Sequence, residues 1–351
     1  MDPLLRFSGR GDENNHVEVS DIWFQAMPVR YSVDEEGSTY YGLKAVRFER
    51  MHTYLHDCTF QYFTGYIVSI NHKDNLPHSV VSNNVFKDSG TINEEGTWRA
   101  GSCVQVGGRR DVWTDTLPGT NNFVFVENNR MEVQGSAMSG GPGGRYVFRH
   151  NHVSRQVESS PINMHGARPE WLIEGYNVPT RFIEIYNNTF VATDEDDPVR
   201  SKITQSAVNS YGGEGVVWGN TFDGLPAGVI LRVGGNWGDC YDHPDCPDDW
   251  VTPDYPILGP TGLPNQAGSR SGSQYGPNHT GVDPSTYGAG DFFYWDNEVI
   301  NMDDKNYEYV AVKTDWTSCD AIKGYVKEGR DYHLAERPGY EPYTYPHPRR
   351  E

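Results

Sequence analysis

The chain has 351 residues, of which 36% are hydrophobic; it is long enough to bury a sizeable core and too apolar for general disorder. Its formal net charge of −19 opposes a nucleic-acid partner, since phosphate binding needs a basic face, and opposes polyanionic glycans unless a cation bridges them. No apolar run approaches the roughly 20 residues that span a bilayer, so no membrane insertion is expected.

The N-terminus, Met1-Asp2-Pro3-Leu4-Leu5, has none of the segments of a signal peptide. Strand-like sequence begins at once, at Leu4-Leu5-Arg6-Phe7. Unpaired strand edges are normally capped, which suggests a trimmed end or one that begins against another subunit.

A phrase then recurs: a β-rich run, two polar residues usually ending in Asn, one further residue, and a large apolar one. It is loose at Asp21-Ile22-Trp23-Phe24, and Cys stands for Asn in Asp57-Cys58-Thr59-Phe60. It is clear at Ser82-Asn83-Asn84-Val85-Phe86, Glu127-Asn128-Asn129-Arg130-Met131 and His150-Asn151-His152-Val153. Further copies are Tyr186-Asn187-Asn188-Thr189-Phe190, Trp218-Gly219-Asn220-Thr221-Phe222 and Trp295-Asp296-Asn297-Glu298-Val299. Runs such as Phe123-Val124-Phe125-Val126 and Arg181-Phe182-Ile183-Glu184-Ile185 read as short strands before the Asn. No amphipathic helical pattern separates them, so a βαβ reading fails. Uneven spacing fits a repeat with a constant core and variable loops. Asn at one bend of each coil can bond its neighbours at the roughly 4.8 Å strand spacing, because its amide both donates and accepts. Ordinary hairpin turns in a sandwich or barrel are the alternative; no regular Asn-Gly signal supports them.

A second strand precedes each phrase: Tyr66-Ile67-Val68-Ser69-Ile70, Ser102-Cys103-Val104-Gln105-Val106, Ser136-Ala137-Met138-Ser139, Pro161-Ile162-Asn163-Met164-His165 and their later counterparts. Several run directly into Gly, as at Gly107-Gly108 and Gly140-Gly141, where a sharp corner could need positive φ. Two strands per coil, joined by a Gly corner and an Asn bend, predict an all-β, right-handed parallel β-helix with an internal Asn ladder. The expected organisation is one solenoid over 1–330, a loop insertion at 236–290, and a Tyr/Pro-rich tail over 331–351 lying extended across the outside of the coils.

The stretches Gly143-Gly144-Arg145-Tyr146-Val147-Phe148-Arg149-His150-Asn151 and Arg181 to Phe190, with the ending Pro338-Gly339-Tyr340-Glu341-Pro342-Tyr343-Thr344-Tyr345-Pro346-His347-Pro348, resemble right-handed parallel β-helix proteins of the pectate-lyase-like superfamily. The resemblance covers most of residues 1–330 and reaches secreted bacterial proteins and phage tailspikes. It implies an extracellular or virion-associated protein whose partner is a polysaccharide or cell-surface glycan, and a trimer if tailspike-like. Lyases of this superfamily typically neutralise a uronate with a cation and abstract a proton with Arg or Lys, whereas related hydrolases use an Asp cluster. The hydrolase pattern is absent from the aligned strands, which puts that mechanism in doubt.

Strand alternation sends Gln105, Asn163, His165, Asn209, Arg232 and Lys313 outward onto one face. His165, Arg232 and Lys313 are the candidate catalytic groups, and Asn163 and Asn209 the candidate binding amides. A solvated face of incidental polarity is the plain alternative for each. In the long insertion, Trp237, Tyr241 and Trp250 offer flat surfaces for sugar rings, or pin the loop to the coils. Asp242, Asp245 and Asp248 are hard oxygen donors that could gather Ca²⁺, though their order matches no EF-hand. Cys58 and Cys103 read as reduced core residues, while Cys240 and Cys246 could pair in an oxidising compartment. The expected function is a polysaccharide-engaging β-helix, leaning towards a lyase or glycoside hydrolase. A structural or adhesive solenoid without catalysis is the competing class.

Overall fold

The structure, a computed structural model, describes residues 3–9, 16–26, 44–63, 65–72, 78–89, 91–92, 98–99, 102–108, 118–133, 135–141, 143–154, 160–164, 180–192, 206–210, 213–225, 227–233, 292–301, 308–314, 328–329 and 332–350. Among them, three parallel sheets of nine, nine and eight strands wind as a right-handed parallel β-helix. A two-stranded antiparallel pair, Thr91–Ile92 with Trp98–Arg99, is the exception to the parallel pairing. One coil illustrates the path: Ser136–Gly140 in the first sheet, Arg145–Arg149 in the second, His152–Ser154 in the third, then Ile162–Met164 back in the first beside its predecessor. Three strands per coil correct the expectation of two. The third is the residue pair that closes each phrase, whose inward apolar side chains stack coil upon coil. Phe24, Phe60 and Phe86 lie 4.9 Å apart between successive ring centroids.

The bend between second and third sheets is two residues in each of the eight described coils. Its first residue adopts the left-handed conformation at Asp21, Asp57, Asn83, Asn128, His150, Asn187, Gly219 and Asp296. Asn, Asp and Gly suit that conformation, which explains the polar pair in the phrase. Its second residue builds the ladder. The Asn151 amide donates to the carbonyls of Arg149 and Val126 (both 2.9 Å) and to Asn188 Oδ1 (3.1 Å), while its own Oδ1 accepts from the backbone and side-chain nitrogens of Asn129. The same bonds repeat through Asn84, Asn129, Asn188, Asn220 and Asn297. At the first rungs Cys58 replaces Asn, and its backbone N–H donates to Asn84 Oδ1. Cys58 and Cys103 are buried free thiols, as read from the sequence.

Not every corner glycine acts through φ. Gly213 does adopt positive φ (86°). At Gly108 the constraint is close approach instead, because a Cβ there would lie 2.0 Å from the Gly143 carbonyl oxygen.

The core inside the coils has a second apolar layer outside them. On the second sheet one outward row runs in register through Tyr54, Val80, Phe125, Val147, Glu184, Val216, Phe293 and His333. The last rung, Tyr332–His333, lies within the stretch read from sequence as tail. Residues 338–350 then turn back as a strap over this face, closing in a short 3-10 helix at Pro348–Arg350. The strap meets Trp295 through Tyr340, sets the rings of Tyr343 and His347 at a tilt against Phe125, and ends with Arg349 donating to the His78 carbonyl.

Two carboxylates are buried beneath it. Glu127 is paired with Arg149, both fully buried, and also accepts from the His347 N–H and from Arg350. Burial alone would raise its pKa, but these positive partners hold it below the usual carboxylate range. Glu184 accepts from the Tyr340 hydroxyl (2.6 Å) and the Gly119 N–H (2.8 Å). Here burial outweighs the hydrogen bonds and lifts the pKa from 4.5 to about 7. Between those values the folded chain binds more protons than the unfolded one, so Glu184 costs stability progressively as pH rises from 4.5 to about 7, with no further change above. At about 1.4 kcal/mol per pKa unit the loss is on the order of 3 kcal/mol. Glu184→Gln should flatten this slope in denaturation midpoints measured across the window; an unchanged slope would assign it to other groups.

Candidate ligand-binding face

Alternation in the first sheet places one outward row through Arg6, Arg47, Ser69, Gln105, Ser139, Asn163 and Asn209, adjacent members being register partners. The opposite residues of these strands, among them Phe48, Ile70, Val104, Met138, Ile162 and Val208, fill the core. Two residues further along each strand a second row carries Ser8, Glu49, Asn71 and Gly107. The early end of the face is a charge cluster of two arginines around one carboxylate. Glu49 receives Arg6 (2.9 Å), Arg47 (2.6 Å) and the Ser8 hydroxyl (3.1 Å). Burial works against its ionisation, yet these partners keep its pKa below the ordinary carboxylate value.

The centre of the face is uncharged. Asn71 donates to Ser69 Oγ and Ser69 to Gln105 Oε1, each at 3.4 Å. Beyond Gln105, Ser139 and Asn163 sit side by side in register. Ser139 Oγ and Asn163 Oδ1 are both buried and have no hydrogen-bond partner among the described residues. Buried polar atoms are almost always satisfied, so two adjacent exceptions mark a place built for a polar contact.

In sequence, several long segments adjoin the strands of this sheet. Residues 165–179 and 234–291 follow its strands, and residues 27–43 and 193–205 lead back to it from the third sheet. By contrast, the ladder bend holds two residues throughout.

Of the sequence-predicted site residues, Asn163 and Asn209 are register partners in the uncharged row, as alternation requires. Asn209 was expected to project into solvent but is 4% exposed. It pairs with Ile230, so Arg232 lies two positions further along its strand, where it is the register partner of Lys313. Asn209 therefore lies in one row of that face and Arg232 with Lys313 in the next. His165, Trp237, Tyr241, Trp250, Asp242, Asp245 and Asp248 lie outside the described residues, as do Cys240 and Cys246. Among the described residues no group of three or more His, Cys, Asp or Glu is placed to hold a metal ion, and no helix is long and apolar enough to cross a membrane. Ser139 was overlooked, although it ends an aligned strand and alternation from inward Met138 would have placed it. The Arg6–Arg47–Glu49 cluster was overlooked because its strands precede the clear repeats.

No family model, curated protein or solved structure matches the chain. The fold and the chemistry of this face therefore carry the functional reading.

Proposed function

We propose that the outer face of the first sheet engages a polysaccharide, and that the chain is a carbohydrate-engaging β-helix of the pectate-lyase-like kind acting outside the cell or on a virion. The observation that carries this reading is the uncharged row of hydroxyls and amides in which Ser139 Oγ and Asn163 Oδ1 lie side by side, both without a hydrogen-bond partner among the described residues. A sugar hydroxyl can donate to Oδ1 and exchange either role with Oγ, and so complements both. A row of this kind also recurs at the strand spacing, which suits a polymer better than an isolated small molecule.

Cleavage is a second reading, favoured by the adjacent register of Arg232 and Lys313, residue types that can hold an acidic group and, once deprotonated, take a proton. The test is a panel of neutral and acidic polysaccharides, scored for binding, new reducing ends and unsaturated products. Asn163→Ala should weaken binding of the preferred polymer roughly tenfold, about 1.4 kcal/mol, with little change in melting temperature. Binding without new ends would make the protein an adhesive or structural solenoid. Failure of every polymer to bind, or indifference to Asn163→Ala, would refute the face as the site.

A further inference from the structure

Where the strap joins the last rung of the second sheet, a cleft of about 460 Å³ is lined by Phe293, His333, Ala335, Glu336, Arg337 and Pro338. His333 stacks on Phe293 with ring centroids 4.5 Å apart and planes 14° from parallel. The Arg337 guanidinium lies 5.1 Å from the Phe182 ring centroid and 5.7 Å from that of Phe293. Its Nη1 is buried and has no hydrogen-bond partner among the described residues.

We propose that this cleft binds a small ring compound bearing a single carboxylate. A guanidinium packed on aromatic faces is held flat and partly desolvated, and its planar fork matches a carboxylate better than any other common anion except phosphate. Phe293, Ala335 and Pro338 give the body of the ligand apolar walls, and the volume suits one ring with its substituents rather than an extended chain. Glu336, the other charged lining residue, repels a second negative charge, which selects against phosphates and polyanions. The site is separate from the first-sheet face and does not depend on the function proposed there. An aromatic acid and a uronic acid share the chemistry required.

The full chain should be titrated with benzoate, galacturonate and their uncharged counterparts benzyl alcohol and galactose, by ligand-observed NMR. One carboxylate should bind in the millimolar range or better, and its uncharged counterpart ~10-fold more weakly. Benzoate alone would identify an aromatic acid, galacturonate alone a uronate, and both a site reading only the carboxylate. Arg337→Gln should weaken binding by ~10-fold or more, and Glu336→Gln should tighten it several-fold. Because Glu336 is exposed, its variant keeps the test open even if the Arg337 variant unfolds. Binding of neither carboxylate, equal binding of the uncharged pair, or affinity indifferent to Glu336→Gln would overturn the proposal.

Discussion

Asn188→Leu should lower the unfolding free energy by roughly 3–5 kcal/mol, the sum of several orphaned groups costing ~1–3 kcal/mol each and offset by partial relaxation. The side chain is an interior rung. Its amide donates to the carbonyls of Tyr186 (3.0 Å) and Phe148 (2.8 Å) and to Asn220 Oδ1 (2.9 Å). Its Oδ1 accepts from the backbone and side-chain nitrogens of Asn151. Leucine has similar bulk but satisfies none of these, and the site is nearly closed to water (2% exposed). Asn297, at the late end of the described ladder, lacks a described Asn beyond it, so Asn297→Leu should cost less. Equal losses at the two positions, measured by chemical denaturation, would show that the ladder does not act as a chain.

Arg149→Met should cost about 3–5 kcal/mol, because it strands a buried carboxylate. Arg149 contacts Glu127 Oε2 at 2.6 and 2.7 Å, the Tyr186 hydroxyl at 2.8 Å, and the strap carbonyls of Tyr343 (2.6 Å) and Thr344 (2.9 Å). Its guanidinium also lies over the rings of Phe125 and Tyr345. Without it, Glu127 keeps only Arg350 and a backbone N–H. The double substitution Arg149→Met with Glu127→Met should recover part of the loss, since the uncompensated charge goes with its partner. Limited proteolysis provides a second readout: the single variant should release the strap first. A loss below about 1 kcal/mol, with the strap still protected, would contradict this account.

The ladder was legible in the sequence because its chemistry needs one residue type at one bend. Asn is matched there both by its two-way amide and by the left-handed residue ahead of it. The third sheet was harder to see. Its strands are only three to five residues long, as in His152–Ser154 and Val85–Ser89, too short to show alternation. The first-sheet row could be read wherever an inward anchor such as Met138 or Ile162 fixed the phase. Register between coils could not be read, because corner lengths vary, and so Asn209 and Arg232 were placed on one face without the two-residue offset that separates them. The buried pair Glu127–Arg149 was illegible for a different reason. Charged residues ending strands look solvent-facing until the strap, some two hundred positions later in the chain, is laid over them.

Coils of a solenoid ordinarily know only their neighbours, so local fraying at one place costs the rest little. The strap changes that bookkeeping by touching Trp295, Glu184, Arg149, Glu127 and Asn83 in a single pass. It is also synthesised after every coil it crosses. A nascent chain with all its rungs wound but the strap still inside the ribosome would expose an apolar stripe and two half-compensated charges to the cytosol of the translating cell. For this protein, emergence of residues 338–350 is the step that ties coils far apart in the stack directly to one another.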